Sequence, residues 1–239
     1  HEVGAGARGV AVDWTHPNFA QALKTLGVEL LIHTAGPFQQ QDYCVAQAAA
    51  QAGAHYIDLA DGRRFVCDFR QAMDAAFRHA GRTAITGAST VPALSSAVVE
   101  HLSEGWPRID AIDLCIAPAQ TAPRGVATLE AVLGYCGAPI DVWSEARWQK
   151  RRAWAQPERV HFARLKPRLG ALCDIPDLEL FPPHYNVTQR VMFRAALEVR
   201  WGQWAFACLA ALRAAGVLRH PERGARFMNT AARAFDFLG

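Results

Sequence analysis

Leu30-Leu31-Ile32-His33-Thr34-Ala35-Gly36-Pro37-Phe38 runs from an apolar strand straight into a glycine-proline turn, and the same grammar recurs twice downstream. A small-residue helix from about Tyr43 to Ala52 stops at Gly53. Tyr56-Ile57-Asp58-Leu59 is the next apolar run, and a helix from about Phe65 to His79 ends at Gly81. Thr83-Ala84-Ile85-Thr86 is a third run, opening into Gly87-Ala88-Ser89-Thr90-Val91-Pro92. Short apolar strands alternating with helical segments of roughly 10 to 15 residues read as parallel βαβ units. Their crossovers are right-handed in nearly every case, so the loops after Ala35, Leu59 and Thr86 leave one edge of one sheet. Open α/β sheets bind their ligands at that edge.

Upstream, Val10-Ala11-Val12-Asp13 reads as a further strand, and a helix is expected from Asn18 or Phe19 to about Leu26. Gly4-Ala5-Gly6-Ala7-Arg8-Gly9 matches GxGxxG letter for letter. A dinucleotide fingerprint must follow a strand and open a helix, whereas this one precedes an expected strand, so it reads as a glycine-rich loop. A full doubly wound domain would need two more strand-helix units ahead of Val10, and those would carry the true glycine-rich turn.

Downstream, Val91–Leu102 reads as a helix broken by Gly105-Trp106-Pro107, where the domain boundary is placed: 1–105 and 106–239. Ile112, Leu114 and Ile116 alternate as in a strand. Ala122-Pro123-Arg124-Gly125 reads as a turn and Val126–Cys136 as a helix. Between Ile140 and Trp154 the pattern fits one strand, with Val142, Ala146 and Trp148 on one face. Lys150-Arg151-Arg152, the only dense basic run, is either a solvated strand end or a phosphate contact. Val160–Leu165 and Gly170–Cys173 read as short strands, Ile175–Phe181 as a brief helix closed by Pro182-Pro183, and Val187 to Phe193 as a strand. Helices over Trp201–Ala215 and Glu222–Phe237 finish the chain. The expected fold class is α/β, a partial doubly wound, Rossmann-like parallel sheet joined to a second α+β domain with a mixed sheet.

Composition narrows the function. The 239 residues are 51% hydrophobic and 20% charged, an ordinary globule, and the net charge is only +3. The arginines are scattered rather than striped, which argues against nucleic acid. The six cysteines include no CxxC pair, so no metal site is expected, and they read as thiols of a reducing, cytoplasmic compartment. No leader is evident at the amino terminus. The uncharged run Trp201–Leu212 is shorter than the roughly 20 residues that span a bilayer. It reads as a helix buried against a domain or subunit, so a membrane partner is not expected.

Gly36-Pro37 can be a simple turn or a place where a cofactor ring approaches bare backbone, with Phe38 offering an apolar face. Gly87-Ala88-Ser89-Thr90 is a tight turn whose amides and hydroxyls can face a ligand. Asp58 at a strand end favours the crevice, and Asp61 favours capping the helix that follows. His33, His55, Tyr43 and Tyr56 are the nearby proton-transfer candidates. No HExxH, Gly-x-Ser-x-Gly or Walker lysine loop is present. Hydride transfer needs few protein groups, because the nicotinamide carries the chemistry.

These residues carry a resemblance. His33-Thr34-Ala35-Gly36-Pro37-Phe38 with Tyr43, then Gly53-Ala54-His55-Tyr56-Ile57-Asp58-Leu59-Ala60-Asp61, is similar to the saccharopine dehydrogenase-like family of oxidoreductases. Thr86-Gly87-Ala88-Ser89 with Pro92 resembles that family's next strand-loop, and Pro123-Arg124-Gly125 with Tyr135-Cys136-Gly137 resembles parts of its substrate domain. The likeness spans Val10–Leu102 and loosens from there to Phe193. The sequence departs from the family at Ala60-Asp61, where relatives commonly carry glycine and glutamate, and in having no glycine fingerprint of its own.

The resemblance implies a Rossmann domain binding NAD or NADP, a substrate and dimerisation domain, and hence a homodimer acting on a small molecule. It places Ala35, Gly36, Pro37, Phe38, Asp58, Gly87 and Pro92 around the cofactor. It leaves His33, His55, Tyr56 and Asp58 as the catalytic candidates. A competing reading is a non-catalytic dimerisation or interaction module that kept a degenerate version of this fold.

Overall fold

The computed structural model describes residues 6–122, 126–218 and 224. The Pro123-Arg124-Gly125 turn, the expected Glu222–Phe237 helix apart from Gly224, and the start of the GxGxxG match lie outside them.

The first sheet is three parallel strands, β1 (Leu30–His33), β2 (His55–Asp58) and β3 (Ala84–Ile85), in the order β1-β2-β3. In register, His33 stands beside Asp58 and Ile57 beside Ile85, so all three strands end at one edge as the pattern requires. α1 (Phe19–Thr25) packs on α2 (Cys44–Ala52), and α2 packs on α3 (Arg63–Ala80). α3 buries Phe65, Val66, Phe69, Met73 and Phe77, the helical spacing of one apolar stripe. These side chains meet Tyr56, Val45 and Ala49 in a core on one face of the sheet. The other face leaves Leu30, Ile32 and Ile85 exposed.

Val10–Asp13 is not a strand. Val10 and Val12 are exposed, and no neighbouring strand supplies a ladder, without which an extended segment gains little in water. After β3, the Thr90–Leu94 turn leads into α4 (Ser95–Leu102).

The second sheet is mixed. β9 (Arg190–Ala195) pairs along its full length, in parallel, with β4 (Ala111–Ile116). Its other edge is shared by two antiparallel strands: β5 (Pro139–Ser144) at Val191, and β8 (Arg168–Leu172) at Arg194 and Ala195. β6 (Arg147–Arg152) and β7 (Glu158–Val160) are the outer strands. The segment expected as one strand between Ile140 and Trp154 is thus a hairpin, turning at Glu145 and Ala146 with φ of 54° and 58°. Two successive positive φ values make the turn whose twist matches an antiparallel pair. Non-glycine residues hid that turn from the sequence.

α5 (Val126–Tyr135), α6 (Asp177–His184) and α7 (Arg200–Ala214) complete the described elements. α6 runs through Pro182-Pro183 rather than stopping there. β9 begins at Arg190, later than expected, because the Val187 amide instead donates to the Pro182 carbonyl. The second core gathers Leu133, Val142, Leu178, Phe181, Val191 and Phe193, and reaches back to Val91 and Val99. Among the described residues no helix is long and apolar enough to cross a membrane.

Leu178 is fully buried in this core and Leu102 is 65% exposed. Leu178→Ala should lower unfolding free energy by about 2–5 kcal/mol in a denaturant titration. Leu102→Ala should change it by about 0.5 kcal/mol or less.

Candidate functional site

The carboxyl edge of the first sheet is organised by Asp58. Its side chain is 0% exposed, and Oδ1 accepts from the Gly87 amide at 2.8 Å, the Ala60 amide at 3.0 Å and the Thr86 hydroxyl at 3.0 Å. Its backbone carbonyl accepts from the Ala88 amide at 2.9 Å. Asp58 therefore fixes the turns after β2 and β3 rather than reaching out to a ligand. Gly87, at φ +72°, completes the junction: a Cβ there would lie 2.8 Å from Pro92 Cδ, so only glycine allows the Pro92 loop to close onto the turn.

His33 and Tyr56 lie beside Asp58 in the same interior. His33 Nδ1 and the Tyr56 hydroxyl share a 2.9 Å hydrogen bond, and His33 is only 5% exposed. Burial lowers the His33 pKa against the opposing pull of Asp58. Burial, reinforced by the Asp58 charge, pushes the Tyr56 phenol far above its ordinary value. His33 Nε2 and Asp58 Oδ2 have no hydrogen-bond partner. The Phe38 ring covers His33 edge-on at 5.0 Å and meets Phe65 at 5.3 Å. Phe38 thus faces the core and offers no surface to a ligand.

Of the predicted set, the fold brings together His33, Tyr56, Asp58, Gly87 and Pro92 as a buried base. It leaves Ala35, Gly36 and Pro37 exposed above that base. His55 is apart, at the other end of β2, where its Nδ1 accepts from the Thr83 amide at 3.0 Å. Asp61 is not the helix cap: Gly62 precedes α3 with no side-chain cap, and Asp61 accepts from Gln39 at 3.2 Å. Tyr43 is a buttress, its hydroxyl donating to the Phe65 carbonyl at 2.9 Å.

Pro37 forms one wall of a cleft of about 480 Å³ between the two sheets, with Gln39, Arg64, Glu130, Tyr135 and Asp174 among its lining. Arg63 closes its floor. This guanidinium, 8% exposed, donates to Glu179 at 2.9 Å, Asp174 at 3.0 Å and the Asp141 carbonyl at 2.8 Å. Arg64 also pairs with Glu179. Burial raises the Glu179 pKa, but Arg64 and Arg63 outweigh it and hold the carboxyl below its ordinary value. The two carboxylates lie more than a hundred residues from Arg63 and Asp141 lies 78 away, and no spacing rule pairs them in advance. The basic run on β6 is accounted for locally, with Lys150 paired to Asp141 and Arg152 donating to the Gly137 carbonyl. Among the described residues no cluster of side chains could hold a metal ion.

No protein-family model and no curated protein sequence matches this chain. In structure it is similar to apo histidine-tagged saccharopine dehydrogenase (L-Glu forming) from Saccharomyces cerevisiae, with a TM-score of 0.54 and 11% sequence identity. The match covers 80% of this chain and 44% of that one. The shared fold is α/β, a Rossmann-like parallel sheet with a separate mixed sheet. At this identity the likeness is one of fold.

Asp58→Ala would leave the Gly87 and Ala60 amides without their buried acceptor, and each such loss costs about 1–3 kcal/mol. Asp58→Asn keeps an oxygen in place and should cost clearly less in the same unfolding measurement. Arg63→Ala, which leaves Asp174 without its cation and Glu179 with Arg64 alone, should cost about 1–3 kcal/mol in the same measurement.

Proposed function

We propose that the protein is a saccharopine dehydrogenase-like, NAD(P)-dependent oxidoreductase, transferring a hydride to or from an amine, imine or carbonyl substrate held in the cleft. The observation that carries this reading is the convergence of three strand-end loops at one sheet edge. Asp58 bolts two of them together, and Ala35-Gly36-Pro37 stands open above the bolt and beside the cleft. Ligand pockets commonly measure about 300–1,000 Å³, so the cleft suits a small molecule. The fold likeness supports the same reading.

In this reading the bare backbone of Ala35, Gly36 and Pro37 holds the nicotinamide side, where no bulky side chain intervenes. The turn from Gly87 to Ser89, whose amides are held by Asp58 and the Gly87 carbonyl, in this reading borders the same cofactor as a rigid edge. The nicotinamide, when bound, supplies or accepts the hydride. The chain's own residues orient the partners and exclude water: Gln39, Arg64 and Glu130 are polar groups on the cleft wall able to hold the substrate.

A second reading, an interaction module on a degenerate fold, is favoured by one observation. His33, Tyr56 and Asp58 are all buried, so none of them presents a base to the cleft. The exposed apolar row Leu30, Ile32 and Ile85 would serve either reading as a homodimer contact.

Titrating the full chain with NADH and NADPH while following nicotinamide fluorescence should show saturable enhancement with at least one of them. No change with either at millimolar cofactor would overturn the oxidoreductase reading. Sedimentation showing a dimer that ignores cofactor, together with no turnover in an amine and carbonyl screen, would favour the module.

A further inference from the structure

Asp177, the first residue of α6, is 0% exposed, yet among the described residues no basic side chain supports its charge. Its Oδ1 meets the Ser95 hydroxyl, while Oδ2 has no partner. Ser95 Oγ also lies 3.0 Å from the Pro92 carbonyl oxygen. A serine hydroxyl has one hydrogen to donate and lone pairs to accept, so Ser95 cannot donate to both neighbours at once. With Asp177 ionised, Ser95 Oγ donates to the carboxylate and the Pro92 carbonyl keeps the Ser95 backbone amide and the Ser96 hydroxyl, the latter at 2.5 Å. With Asp177 protonated, the carboxyl donates to Ser95 Oγ, which frees the serine hydrogen for Pro92.

We propose that Asp177 and Ser95 form a proton-dependent latch that positions the loop after β3. Protonation of Asp177 completes a hydrogen-bonded chain to the Pro92 carbonyl, and ionisation breaks it. The latch joins α6, which packs on the second sheet, to the loop that packs against Gly87 at the edge of the first. It does not depend on which ligand the cleft takes.

The surrounding charges leave Asp177 to itself. On α6 and just before it, Glu179 and Asp174 are engaged by Arg63 and Arg64 of α3. Burial pushes the Cys67 thiol of α3 up to about 12, so it stays neutral. Tyr185, beyond His184 at the end of α6, lies within reach of the Asp177 charge, with Glu100 of α4 beside its phenol. On the strands against α6, Asp141 of β5 pairs with Lys150, and Arg190 and Arg194 of β9 pair with Asp113 and Glu158. Burial accordingly pushes the Asp177 carboxyl up to about 6, against the opposing effect of Ser95.

The sign follows from a folded pKa above the ordinary carboxylate value of 3.8. The stabilisation by the proton is complete below that value and is lost as pH rises through about 6. Buried His33, with its pKa lowered, acts in the opposite sense and loses stability as pH falls below its ordinary 6.5. Global melting therefore mixes the two, and a local probe is required.

That probe is the carbonyl carbon shift of Pro92, followed by NMR in the full chain from about pH 4.5 to 8. The wild type should show one transition with its midpoint near 6. Asp177→Asn, whose amide donates to Ser95 at every pH, should lose the transition and stay near the wild-type low-pH shift. Ser95→Ala, which removes only the relay hydroxyl, should also lose it and stay near the high-pH shift. A Pro92 transition that persists unchanged in either folded variant would overturn the latch.

Discussion

One buried carboxylate oxygen sets the geometry on which the candidate site rests. Asp58 Oδ1 accepts from Thr86, Gly87 and Ala60 at once, and hydrogen bonds to an ionised group contribute about 1.5–3 kcal/mol each. A carboxylate removed from water must be satisfied in this way or lose its charge. The consequence is that the ends of β2 and β3 cannot move independently. Gly87 is held where its missing Cβ lets Pro92 seat against it, and the exposed Ala35–Pro37 turn sits over a rigid base. The geometry of this edge is thus set from beneath, by buried groups.

A second constraint fixes the other wall. Arg63 stands at the start of α3, two residues after the Asp61 turn, and its buried guanidinium takes two carboxylates and a carbonyl from the second sheet and the approach to α6. α6 answers on its other side through Asp177 and Ser95. α6 is thus held by polar contacts on both flanks, to α3 through Glu179 and to α4 through Asp177. Arg63 thereby fixes where the start of α3 stands against β5 and α6.

Much of the fold was legible in the sequence. Strand, glycine turn and helix repeat from Leu30 to Pro92 with short loops, and local periodicity settles such an arrangement. The strand expected at Val10 failed because apolar alternation needs a ladder partner, which those residues lack. The hairpin at Glu145 and Ala146 was missed because neither residue announces a positive φ. The site was legible in part. Asp58, Gly87 and Pro92 stood out, but as ligand contacts, whereas the fold turns Asp58 inward as the brace. Arg63, Glu179 and Asp177 were not legible as a unit, since contacts across a hundred residues follow from the docking of two sheets and not from spacing.

Amide hydrogen exchange of the full chain with and without NADPH or NADH addresses the central claim directly, because it locates binding as well as detecting it. Cofactor-dependent slowing is expected at the turns around Gly36 and from Gly87 to Ser89 alone, with the β5–β6 hairpin unchanged. Unchanged exchange at both turns under saturating cofactor, or protection only at the second sheet, would contradict it.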